Sequence, residues 1–203
     1  MITNDPILAV MKSLDTGVRT QATADLEEAG CRVQTSGNRG AGASHGADYW
    51  PVYACVARLE RERPELAATV YTLFAPTEEE SNQWLDAFHA HLIAGMIRNV
   101  PDWAKLRNKK RDLIEWLIVA AIVERRNDLE RVQPAWGAER VAYYLADQHG
   151  VIIKTNQWAR DWEQYWNIAQ SLIESAENAA LKPVCETIKH EREKYRNELQ
   201  QAA

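Results

Sequence analysis

Three tryptophans, Trp158, Trp162 and Trp166, recur every four residues, and the seam extends at three- and four-residue intervals through Ala169, Leu172 or Ile173 and Ala176. Only an α-helix gathers residues so spaced on one side, and a side so apolar has to be buried. The seam reads as helix core, with a ligand-stacking aromatic box as the rival, and burying it turns Gln157 and Arg160 outward. A chain built around such a seam must pack helix on helix. Few helix breakers interrupt it, with nine Gly and seven Pro in 203 residues, so the fold class is mainly α, a multi-helix bundle. The β signal is confined to "VIIK" at 151–154.

Along the chain the pattern divides into three parts: an N-terminal segment over 1–49, a helical core domain over 50–133, and a C-terminal part over 134–203. Five glycines fall between Gly30 and Gly46, in "GCRVQTSGNRGAGASHG", which predicts a flexible arm carrying Arg32 and Arg39. It matches neither phosphate-binding glycine pattern. From Trp50, Val52, Cys55, Val56 and Leu59 have helical spacing, and Pro64 ends that helix or opens the next. Thr77 and Glu80 form a capping box before a stripe of Trp84, Leu85, Phe88, Leu92 and Met96. A further helix is predicted to open after Pro101, with Asp102 near its start and Leu113, Trp116, Leu117, Ala120 and Val123 on its core side. Pro183 is expected to break the last long helix, leaving a charged terminal one.

The C-terminal part holds a helix-turn-helix-like unit. In Leu145 to Val151 a small Ala follows Leu, Gly150 takes the turn and Val151 plugs the corner. The same arrangement also serves any helix that stops at glycine. Thr155 is then expected to cap a helix whose first turns carry Asn156, Gln157 and Arg160, where a recognition helix meets base edges. Arg can bond guanine bidentately, Asn or Gln can bond adenine, and Lys154 adds a phosphate contact. Asp161 and Glu163 oppose this unless a cation such as Arg160 neutralises them. The densest positive cluster is Lys105, Arg107, Lys109, Lys110 and Arg111, a solvated face or a phosphate contact.

The net charge of −5 excludes a protein that coats nucleic acid over its whole surface and leaves room for a local basic face. Cys31, Cys55 and Cys185 have no disulfide or zinc-site spacing, and His89 and His91, two apart, point to different faces. No metal or cofactor is therefore expected. No nucleophile sits beside a base and no carboxylate pair is framed for acid–base chemistry, which argues against an enzyme. The N-terminus has no leader pattern, and the longest apolar run, "WLIVAAIV" at 116–123, falls short of the roughly 18 residues of a membrane span, so a cytoplasmic location is expected.

Two segments resemble a known family. "YACVARLERERPELAATVYTLFA" at 53–75, preceded by "SGNRGAGASHG", resembles the core of lambdoid phage Q-type antitermination proteins, and a helix-turn-helix followed by a long helix, as at 138–181, suits that group. The resemblance implies a phage late-gene transcription regulator that binds double-stranded DNA beside a promoter and acts on host RNA polymerase. On that likeness Lys154, Asn156, Gln157 and Arg160 read DNA, and the polymerase is met by the Gly-rich arm, with Arg32 and Arg39, and by the helix from Val52 to Leu59, with Arg58. The alternative is a non-enzymatic helical interaction or scaffold module that does not bind DNA.

Overall fold

The computed structural model describes residues 2–15, 42–129 and 134–201. Among them are eight α-helices, one short 3-10 turn and no strand. The helices are α1 (Pro6–Leu14), α2 (Gly42–Glu62), α3 (Pro64–Phe74), α4 (Glu78–Asn99), α5 (Asn108–Leu129), α6 (Ala138–His149), α7 (Trp158–Asp161) and α8 (Glu163–Gln201), with the 3-10 turn at Trp103–Lys105. The chain forms two compact units, Met1–Ser81 with Ala179–Ala203, and Asn82–Asn178. No helix among the described residues is long and apolar enough to cross a membrane.

In the first unit α1, α2 and α3 pack on one another. Asp5 caps α1, its carboxylate accepting from the amides of Ile7 and Leu8, and Pro6 follows where no intrahelical N–H is needed. Val10, Val52, Val56 and Val70 are fully buried, as are Phe74 and, from α8, Val184. Burying each such side chain contributes about 1.5–3 kcal/mol before chain entropy is subtracted. Pro64 opens α3, and Cys55 and Leu59 are buried as the helical spacing requires.

The second unit is organised by α5. Ile114, Leu117, Ile118, Ala121 and Ile122 are buried, whereas Leu113, Trp116 and Val123 are half-buried, so the buried face is turned slightly from the expected one. His89 on α4 lies 3.2 Å from the carbonyl of Glu115, and Phe88, Leu92 and Met96 are buried as predicted. At Gly95 α4 passes so close to α8 that an added Cβ would stand 2.8 Å from Leu172 Cδ2. Glu124, on the buried side of α5, has a carboxylate that accepts the Trp136 amide at 2.7 Å and the Gln170 side-chain amide at 2.7 Å. Next to it Arg125 donates to both oxygens of Glu177, each at 2.8 Å. Buried charged groups are tolerated only with such partners.

Four expectations are corrected. The Gly-rich stretch is helical from Gly42 onward, and its earlier part, with Arg32 and Arg39, lies outside the described residues. The helix expected after Pro101 starts only at Asn108, because Asp102 adopts a left-handed φ of 56° and Arg111 Nη2 donates to the Ala104 carbonyl at 2.7 Å, holding a separate 3-10 turn. Pro183 does not break α8. It lacks an N–H, but Ala180, Leu181, Val184 and Ile188 are buried on both sides of it, and that packing outweighs the roughly 3 kcal/mol a proline costs in a helix interior. Last, the tryptophan helix is not continuous at its start: Trp162, at φ −133°, separates the single turn of α7 from α8. Trp162, Trp166, Ala169, Ile173 and Ala176 are nonetheless buried, and Trp158, half-buried, meets Trp166 edge-on at 6.2 Å between ring centroids.

Replacing Glu124 by Ala should lower stability by about 3 kcal/mol, since the buried Trp136 amide and the half-buried Gln170 amide lose their acceptor, and Glu124→Gln should cost less because an acceptor remains. Denaturant midpoints of the two variants check this, and equal midpoints for Ala and wild type would contradict it. Gly150, at φ +66°, ends α6, so Gly150→Ala should cost about 1–2 kcal/mol in the same measurement.

Candidate nucleic-acid interface

The corner between α6 and α7 starts with a glycine cap. The Gly150 amide donates back to Ala146, and Val151 N–H bonds the Leu145 carbonyl at 3.0 Å, which closes the helix end. Ile153 is buried, and Ile152 beside it is 80% exposed. The segment then runs without regular structure to a turn at Asn156 and Gln157, so α6 and α7 are joined by eight residues, 150–157. Thr155 is half-buried and gives α7 no side-chain cap; its carbonyl accepts the Trp158 amide at 3.0 Å. Asn156 and Gln157 precede the helix instead of lying in its first turn, and a single turn is shorter than a recognition helix lying along a groove.

An aromatic cluster fixes α6 against α5. His149 packs on Trp116 at 4.6 Å and its Nε2 lies 3.2 Å from the Tyr144 hydroxyl. Tyr144 stacks at a tilt on Trp136, whose other neighbour is the Arg140 guanidinium at 4.9 Å. Burial pushes the Tyr144 hydroxyl pKa up.

Lys154, Asn156, Gln157 and Arg160 are exposed. Arg160 is engaged, however: its Nε donates to Asp161 Oδ1 at 2.8 Å, its Nη2 to Asp161 Oδ2 at 3.0 Å, and the same Nη2 to the Gln157 side-chain oxygen. Hydrogen bonding from Arg160 holds the Asp161 carboxyl below its ordinary value, and the charges of Arg160 and Lys110 add to this.

The five cations of the basic cluster differ in what they can do. Lys110, half-buried, lays its ammonium over the ring of Tyr165 at 4.9 Å and of Trp162 at 5.5 Å. Such contacts contribute about 1 kcal/mol each at a partly exposed site. Arg111 is half-buried and donates to the Ala104 carbonyl, so it serves the turn before α5. Lys105 is exposed and pairs with Asp102 at 2.9 Å. Arg107 and Lys109 are exposed and form no ion pair with a described residue. Through Lys110, then, the start of α5 and the start of α8 meet, which brings the two groups of sequence-predicted contacts into one unit and one neighbourhood. Arg58, on α2 in the first unit, is exposed.

Sequence reasoning missed the Glu124 cluster and the cavity of about 300 Å³ beside it, lined by Glu124, Arg125, Asp128, Gln170, Ile173 and Glu174 among others. The signal was present: Glu124 stands seven residues after Leu117 and so falls on the same face. Its carboxylate is occupied by its two donors. Among the described residues no group of three or more His, Cys, Asp or Glu could hold a metal ion. Comparison of the chain with family models, with curated proteins and with solved structures finds no match.

Proposed function

We propose that this chain is a DNA-binding regulator of transcription that meets double-stranded DNA with one local surface of its second unit. Arg107 and Lys109 at the start of α5, with Lys105 and Lys154, supply phosphate contacts, and Asn156, Gln157 and Arg160 supply contacts to base edges. The observation that carries this reading is the seat of Lys110 on Trp162 and Tyr165, which links the cationic turns to the polar edge around Arg160. The likeness of 53–75 to Q-type antitermination proteins extends the proposal to host RNA polymerase as the second partner, met through Arg58, and to antitermination of phage type as the activity.

A second reading, a helical protein-interaction module without DNA binding, is favoured by the 70% exposure of Tyr143 and the 80% exposure of Ile152, which are large apolar groups left in solvent. A binding titration separates the two. With a 20-base-pair duplex of random sequence, association should weaken as salt rises, with a log–log slope of about −3.5 for the four phosphate-contacting cations. The double change Arg107→Ala and Lys109→Ala should bring that slope about two units closer to zero. No association at low salt would remove the DNA reading and leave the interaction module.

A further inference from the structure

Arg160 and Asp161 are neighbours in sequence on α7, and their side chains close on each other by two hydrogen bonds, from Nε at 2.8 Å and from Nη2 at 3.0 Å. A guanidinium has five N–H donors. Asp161 takes two and Gln157 a third, all on the Nε and Nη2 side, and neither donor of Nη1 has a hydrogen-bond partner among the described residues. The pair carries no net charge while Asp161 is ionised, and the hydrogen bonds from Arg160, with the charge of Lys110, favour that ionised form.

We propose that Asp161 is the specificity-determining residue of this surface: by cancelling the charge of Arg160 and fixing its plane, it converts a phosphate-binding guanidinium into a reader of neutral base edges. The inference rests on the DNA-binding reading above. An isolated arginine on a basic surface is drawn to any phosphate, a contact that carries no sequence information. A neutralised pair loses most of that attraction, yet a free Nη1 donor can still meet a neutral acceptor such as guanine O6 or N7. Arg107 and Lys109 have no carboxylate partner among the described residues, so affinity and selectivity are divided between two sets of side chains. Asp161 acts through Arg160 and need not touch DNA itself.

The test is selection from a pool of random 20-base-pair duplexes by the full chain, as wild type, Asp161→Asn and Arg160→Gln, with pool affinity measured at several salt concentrations. Both side chains are solvent-accessible, and unchanged thermal midpoints will confirm that the variants fold. Wild type should enrich sequences sharing a guanine position. Asp161→Asn should bind the unselected pool several-fold more tightly, with a salt slope steeper by about one, and should lose about tenfold of the discrimination at that position. Arg160→Gln should lose the discrimination without gaining pool affinity. If wild type binds the pool but enriches nothing, or if Asp161→Asn matches wild type in affinity, slope and enrichment, the inference is overturned and DNA binding stands. If wild type does not bind the pool at any salt concentration, the DNA reading falls and takes the inference with it.

Discussion

A lysine ammonium lying over two aromatic faces joins the two parts of the second unit on which the proposed function rests. Lys110 comes from the first turn of α5 and rests on Trp162 and Tyr165 at the start of α8. Both rings are held in place by burial, so their faces offer a fixed seat for the charge. Without that seat, the cations that precede α5 and the polar residues around α7 would be separate features of separate elements. With it, they share a neighbourhood whose geometry the core dictates.

That geometry is held from behind by polar contacts that tolerate little displacement. The Glu124 carboxylate ties α5 to the backbone at Trp136 and to Gln170 on α8, and Arg125 ties α5 to Glu177. The ring of Trp136 stacks on Tyr144 and so passes the constraint to α6, whose far end is held by His149 against Trp116. Buried hydrogen bonds are directional where apolar packing is not, and a carboxylate taken out of water is costly unless its oxygens find donors, as both oxygens of Glu124 do. The register among α5, α6 and α8 is thereby fixed, and with it the place where Arg160 emerges.

Much of this was legible in the residues. Four-residue spacing identified the buried side of α8, Pro64 marked the start of α3, Thr77 and Glu80 met as a capping pair, and Gly150 took the left-handed position at the end of α6. These signals are local, and local geometry decides them. The continuity of α8 through Pro183 was not legible, because it depends on apolar partners far away in sequence. The break at Trp162 was hidden for a similar reason: the indole is buried at a φ that no spacing rule reports. In the candidate site, the outward face of Gln157 and Arg160 was expected from the burial of the indoles, whereas the bond of Arg111 to Ala104 and the seating of Lys110 required the fold.

The claim at the centre is that one surface, made by residues around 105–110 and 154–160, is where this chain meets duplex DNA. Backbone hydrogen exchange of the full chain with and without a saturating duplex tests it most directly, because it reports position without altering a side chain. Slowed exchange is expected in both of those segments together. Protection confined to the neighbourhood of Tyr143 or to the first unit, or no protection anywhere, would contradict it.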